Sequence, residues 1–195
     1  PPMPQTRPRV VLLDRDGTLN EEVHYLARPD QLVLIPGAVA GLRRLRDLGL
    51  TLVVVTNQSG LERGYFSNAD LEAIHRRLID MLAAEGIVLA GIFVCPHGPD
   101  SDCECRKPKP GLVDAARHAL GFDPAEAFMI GDKQSDLDLG LAVGALPILV
   151  RTGYGLETES AGAAGAAFVA SDLLQASAFI AGRLEREKPR GTAAP

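Results

Sequence analysis

The 195-residue chain contains no tryptophan, three tyrosines and three cysteines. No apolar run reaches the ~18 to 20 residues that a bilayer-spanning helix needs, so no membrane partner is expected. No block of Lys or Arg offsets the net charge of −5, which argues against nucleic acid or anionic lipid as a partner. All three cysteines fall between residues 95 and 105. An odd number, with one pair a single residue apart, makes a poor disulfide framework and points to a reduced, cytoplasmic setting. The opening "PPMPQTRPRV" lacks the apolar core and small-residue cleavage site of a secretory signal. Residues 1–8 read as a disordered leader and 186–195 as a disordered tail. Residues 9–185 have the length of one compact domain. Nothing demands a second copy, and a monomer is expected.

What is present is strand alternating with helix. Continuous apolar runs occur at "VVLLD" (10–14), "TLVVVT" (51–56), "GIFVC" (91–95), "AFMIGD" (127–132) and "LPILVR" (146–151), with a weaker one at "AAFVA" (166–170). Runs without alternation are expected of strands buried on both faces. Between them lie helical stripes: Val39, Leu42, Leu45 and Leu48; then Leu71, Ile74, Leu78, Met81 and Leu82, behind a capping box of Ser67 and Asp70. Further helices are predicted after "PKPG" (108–111), from Leu137 to Val143, and from about Asp172 to Leu184. This order predicts an α/β, doubly wound (Rossmann-like) parallel sheet with helices on both faces. Right-handed crossovers then gather the strands' C-terminal ends on one edge, where ligands bind.

That edge collects the chemistry. In "VVLLDRDGTLN" (10–20) the first strand runs into Asp14, Arg15 and Asp16. Two acids one residue apart repel each other unless positive charge lies between or beside them. Asp14 and Asp16, joined by Asp132 after the fourth strand, suit Mg²⁺, a hard cation held by carboxylate, backbone oxygen and water. Asp14 can then act as a nucleophile and a neighbouring carboxyl as acid and base. "TNQSG" (56–60) supplies the Thr56 hydroxyl and the N–H groups around Asn57, Gln58 and Ser59 for a phosphoryl group, and Lys107 supplies a compact cation. Arg63, Arg106, Lys109, Lys133 and Arg151 also fall at element ends; a solvated rim is the plainer reading of each. Asp136 could support the metal or cap the helix that begins there. His75 and His118 read as packing or surface residues. "RTGYG" (151–155) reads equally as an anion loop or a glycine turn.

"CPHGPDSDCEC" (95–105) places Cys95, His97, Cys103 and Cys105 in the pattern C-x-H-x₅-C-x-C. Three thiolates and an imidazole complete a tetrahedral Zn²⁺ shell with no open position, the mark of a structural site. A stretch so rich in Gly, Pro, Asp and Ser cannot build a core, and ligation would supply its rigidity. A redox pair and chance clustering are the rival readings.

With these residues in view, the chain resembles the haloacid dehalogenase superfamily of phosphatases. "DRDGT" resembles its first motif, "VVVTN" its second, Lys107 its third and "IGDKQSD" its fourth. The resemblance implies Asp14 as nucleophile, Asp16 as acid and base, and Thr56 and Lys107 as phosphoryl stabilisers. It implies Mg²⁺ held by Asp14, the Asp16 carbonyl and Asp132. There is too little chain at either usual insertion point for a large cap domain.

Within the superfamily, the cysteine loop followed by "CRKP" is similar to two groups, the D-glycero-D-manno-heptose 1,7-bisphosphate 7-phosphatases and the histidinol-phosphate phosphatases. "TNQSGLERG", "CRKPKPGL", "GDK" and "ILVRTG" favour the first; the short gap between His97 and Cys103 resembles the second. The heptose resemblance implies a sugar-phosphate substrate near Arg106, Lys133 and the segment from Glu22 to Tyr25, with Arg63 a further candidate contact, and a product used for nucleotide-activated heptose and lipopolysaccharide or surface glycan. A phospho-accepting signalling domain is the alternative from another class; Asp16 argues against it, since a receiver needs no acid two residues past its acceptor.

Overall fold

The computed structural model describes residues 7–187. Six parallel strands form one sheet in the order β3-β2-β1-β4-β5-β6. They are β1 (Val10–Leu13), β2 (Thr51–Asn57), β3 (Leu89–Cys95), β4 (Phe128–Gly131), β5 (Leu146–Val150) and β6 (Phe168–Ala170). Helices α1 (Ala38–Asp47), α2 (Asn68–Ala83), α3 (Gly111–Leu120), α4 (Gln134–Val143), α5 (Gly155–Ser160) and α6 (Leu173–Glu187) connect and follow them.

The strand periodicity of two sorts the core into two layers. Val11 and Leu13 of β1 join Leu42 and Leu45 of α1, Ile74 and Leu78 of α2 and Ile180 of α6 on one face. Val10 and Leu12 join Leu112, Val113 and Ala116 of α3 and Leu139 of α4 on the other. All four β1 side chains are buried, which is why the run shows no alternation. The "GIFVC" strand differs: β3 starts at Leu89 and lies at the sheet edge, with Ile92, Phe93 and Val94 only half-buried.

Ser67 caps α2 as its sequence pattern predicts, its Oγ accepting from Asp70 N at 3.1 Å. Three boundaries depart from expectation. α4 starts at Gln134, so Asp136 lies inside the first turn and not at its boundary. α5 begins at Gly155, the last residue of the predicted glycine-rich turn or loop, and runs over residues for which no element was predicted. α6 continues through Glu187, where that side chain pairs with Arg9 Nη1 at 2.7 Å, so residues 186 and 187, expected in the tail, are helical. Residues 1–6 of the predicted leader and 188–195 of the tail lie outside the described residues.

The chain order reverses between β1 and β4, which are hydrogen-bonded neighbours with Leu13 opposite Ile130. That switch point is where a doubly wound sheet opens a crevice at its carboxyl edge. No large cap covers it: between β1 and α1 the regular structure is one 3₁₀ turn (Pro29–Gln31) and two isolated bridges, and between β3 and α3 there is only the cysteine loop. Among the described residues no helix is long and apolar enough to cross a membrane.

Candidate active site

Asp14 follows β1 directly, its N–H bonded to the Ile130 carbonyl at 3.0 Å, and Asp132 follows β4. The two carboxylates therefore meet at the switch point because their strands are neighbours. Asp14 Oδ1 accepts from Arg15 N and from Lys107 Nζ, both at 2.8 Å, leaving Oδ2 outside these bonds. Lys107 Nζ also donates to Asp136 Oδ1 at 2.7 Å and to the Val55 carbonyl at 2.9 Å, so all three of its protons are used. Burial alone would lower the Lys107 pKa, but the charges of Asp136 and Asp14 outweigh it and raise it. The ammonium is fixed and permanently charged.

Asp14, Asp132 and Asp136 bring carboxylate oxygens within 4.8 Å of one another. Burial, then repulsion from Asp14 and Asp136, pushes Asp132 up to about 8. Its Oδ1 is buried without a hydrogen-bond partner. An orphaned carboxylate oxygen in a cluster of acids is what a divalent cation would satisfy. Asp132 Oδ2 accepts from Tyr154 N at 2.8 Å, and the Asp132 carbonyl accepts from Thr158 Oγ1 at 2.8 Å. Gly17, at φ +82°, packs against this carboxylate so closely that a Cβ would strike Asp132 Oδ2. Asp136 does more than either role considered for it from sequence: one oxygen holds Lys107 and the other accepts Lys133 N at 3.1 Å.

The Asp16 carboxylate turns toward donors. Arg15 Nη2 lies 3.0 Å from each of its oxygens, Asn20 Nδ2 donates to Oδ1 at 2.9 Å, and Gln58 Nε2 donates to Oδ2 at 2.9 Å. Burial works against ionisation here, yet the Arg15 charge and the two amides prevail and hold Asp16 below the ordinary carboxylate value. It still lines the cavity together with Asp14 and Lys107.

That cavity, about 580 Å³, gathers most of the other predicted residues: Glu22, Tyr25, Asn57, Gln58, Ser59, Arg106 and Lys133. Their tasks differ from the sequence reading in places. Asn57 commits its amide to the Lys107 backbone, accepting from its N–H at 3.0 Å and donating to its carbonyl at 3.3 Å. Thr56 is buried off the cavity lining, its Oγ1 accepting from Gln58 Nε2 at 2.8 Å. Arg63 is exposed and off the lining, Lys109 pairs with Glu104, and Arg151 pairs with Glu159.

Lys133 leans over the Tyr154 ring at 4.9 Å and reaches Glu22 at 3.4 Å. Tyr154, Glu157 and Thr158, none of them predicted, form the opposite wall. The glycines of "RTGYG" hid this wall; its one signal was the loop's place after a strand that ends at the same edge.

Cys95, His97, Cys103 and Cys105 converge within 4.8 Å and could hold a metal ion. His97 Nδ1 lies 3.6 Å from Cys95 Sγ and 3.3 Å from Cys105 Sγ, and Cys95 and Cys103 Sγ lie 3.9 Å apart. Burial opposes ionisation of Cys103, but the N–H groups of Arg106 and Cys105 draw its thiol down to about 7. The loop is tied on both sides: Glu62 accepts from Gly98 N, and Arg106 Nη1 donates to the His97 carbonyl at 3.0 Å.

Comparison with known proteins meets this geometry from outside. A family model described as HAD-hydrolase-like matches residues 104–176. The D-glycero-beta-D-manno-heptose-1,7-bisphosphate 7-phosphatase of Pseudomonas putida is 41% identical over 166 residues, covering 85% of this chain and 95% of its own. The D-glycero-alpha-D-manno-heptose-1,7-bisphosphate 7-phosphatase of Photorhabdus laumondii is 35% identical, covering 89% and 100%. A crystal structure of the D,D-heptose 1,7-bisphosphate phosphatase from B. bronchiseptica, complexed with magnesium and phosphate, superposes with a TM-score of 0.84 at 37% identity, covering 90% of this chain and 99% of that one.

Proposed function

Because the chain belongs to the heptose-1,7-bisphosphate 7-phosphatase family of haloacid dehalogenase-like hydrolases, we propose that it removes the 7-phosphate of D-glycero-D-manno-heptose 1,7-bisphosphate. The observation that carries the reading is the site of Asp14. Its Oδ1 is tethered by Lys107 and by the Arg15 N–H, while Oδ2 lies outside those bonds, beside Asp16 on a shared cavity.

In the first step Asp14 Oδ2 forms a bond to the 7-phosphorus while the bond to the sugar oxygen breaks. The departing oxygen takes a proton from Asp16. In the second step Asp16 takes a proton from water as that water attacks the aspartyl-phosphate, releasing inorganic phosphate and restoring Asp14. Arg15, Asn20 and Gln58 favour the ionised form of Asp16; a phosphate dianion brought beside it repels that charge and favours the protonated acid that the first step needs. Lys107 stands ready for the charge that spreads over the equatorial oxygens.

Mg²⁺, held by Asp14 and Asp132 with the Asp16 carbonyl, would neutralise the acid cluster and the phosphoryl oxygens. The orphaned Asp132 Oδ1 fits that role. Arg106 and Lys133, which line the same cavity and whose side chains take no part in the Lys107 ion pairs, suit the phosphate that is not removed. A bisphosphate needs two such sets of cations, and one set would be surplus for a monophosphate.

The cysteine loop is assigned Zn²⁺. Tetrahedral ligands at about 2.3 Å (S) and about 2.0 Å (N) lie roughly 3.5 to 3.8 Å apart, and the observed separations span 3.3 to 3.9 Å. A monomer working in the reducing cytoplasm, supplying heptose 1-phosphate for nucleotide activation, completes the proposal.

The test is a substrate profile of the purified protein on both anomers of the heptose bisphosphate and on histidinol phosphate, with metal analysis of the same sample. Highest kcat/KM on a heptose bisphosphate is expected. Higher kcat/KM on histidinol phosphate would overturn the assignment.

A further inference from the structure

Arg15 is the largest fully buried side chain among the described residues, and its guanidinium is held against the Asp16 carboxylate. Two of its nitrogens, Nε and Nη2, are spent on the Asp16 carboxylate at 3.0 to 3.3 Å. The third, Nη1, reaches across 60 residues of sequence to His75 Nε2 at 3.1 Å. A guanidinium can only donate, so His75 Nε2 must be the unprotonated acceptor and the ring proton must sit on Nδ1. His75 projects from α2, one residue after the fully buried Ile74, and is half-buried itself.

We infer that His75 is a positioning residue for Asp16, acting through Arg15. The geometry leaves the guanidinium held at both ends: by the carboxylate it orients and by a helix that belongs to the rigid core. Without an acceptor on α2, Nη1 would be a buried donor lacking that partner, and the fork could rotate away from the carboxylate to find another. Proton transfer to a leaving group depends steeply on where the carboxyl oxygen sits. Asn20 and Gln58 also bond Asp16 but have no link to α2, so His75 is the contact by which that helix sets the angle of the Asp16–Arg15 pair. The inference rests on the reading of Asp16 as the general acid.

The experiment compares kcat/KM on heptose 1,7-bisphosphate, whose alkoxide must be protonated to leave, with p-nitrophenyl phosphate, whose phenolate leaves without a proton. This parameter reports phosphoryl transfer to Asp14 and excludes the later hydrolysis. His75→Leu is expected to lower it about 10- to 100-fold on the bisphosphate and less than about threefold on the aryl ester. His75→Gln, which returns an acceptor oxygen near the place of Nε2, is expected to recover the bisphosphate value to within about threefold of wild type. Equal losses on both substrates, or no rescue by glutamine, would overturn the inference. Should the leucine variant fail to fold, His75→Asn, too short to reach Arg15, takes its place against glutamine. Asp16→Asn is the control: if it too loses equally on both substrates, the reading of Asp16 as acid has failed; if it discriminates and His75→Leu does not, the failure belongs to His75.

Discussion

Lys107 stands 2.8 Å from Asp14 and, with the same ammonium, 2.7 Å from Asp136. One ammonium therefore pairs with both the proposed nucleophile, Asp14, and the carboxylate that accepts from the backbone at the start of α4. Lys107→Met is expected to do two things at once. Removing the charge beside the reacting oxygens should lower kcat by about 100-fold or more. Stranding two buried carboxylates should cost about 3 to 5 kcal/mol of folding stability. Urea unfolding and steady-state kinetics on the same sample separate the two effects; loss of one without the other would mean the ammonium does not serve both.

Asp14→Asn keeps the shape and hydrogen-bonding reach of the side chain but removes its nucleophilic oxygen. Turnover should fall to background with the far-UV circular dichroism unchanged, and rapid quench with labelled substrate should find no phosphate on the protein. Asp16→Asn should still be labelled, slowly, and should hold its label longer than wild type.

Cys103→Ala removes one of four candidate metal ligands. Zinc content should drop from about one per chain, and Tm and activity should fall together, because Arg106 is tied to the His97 carbonyl within the same loop. An unchanged melting curve with full zinc content would refute the assignment. Brief chelation of Mg²⁺, by contrast, should stop turnover while leaving Tm within a few degrees.

The pH dependence of stability carries a signature of His75. Burial first, and then the Arg15 charge, push its pKa down to about 4, while in the unfolded chain it titrates near about 6.5. Between those values the unfolded chain binds a proton that the folded one refuses. This contribution is fully present above about pH 6.5 and is lost as pH falls toward about 4. His75→Gln carries no such group. The difference in urea-unfolding free energy between wild type and this variant should be flat above pH 7 and move in the variant's favour through that window.

Much of the site was legible before any fold was known. Asp14 and Asp132 directly follow strands that must run parallel, so locating those strand ends locates the residues, while Lys107, beyond the cysteine loop, was marked by its resemblance to a family motif. The convergence of the cysteine loop was legible from three cysteines and a histidine crowded into a stretch too poor in apolar residues to form a core. Residues whose roles depend on what lies beside them were not. Thr56 and Asn57 sit where expected, but their polar groups go to Gln58 and to the Lys107 backbone. Arg63, one short turn beyond Ser59, faces solvent. Periodicity put His75 on α2 but could not say that the α2 face meets the end of β1, so its bond to Arg15 could not be seen. Tyr154 was hidden because two glycines beside it suggest a turn with no wall to build.

The uncovered crevice at the switch point has a consequence for how such a catalyst can be reshaped. With loops for walls and no large cap over it, the site leaves selectivity among phosphate esters to a few side chains of the lining. Trimming or exchanging Tyr25 or Tyr154 on the lining is expected to alter what is admitted while leaving Asp14, Asp16 and Lys107 in place. For anyone seeking new ester preferences, those tyrosines are the place to start.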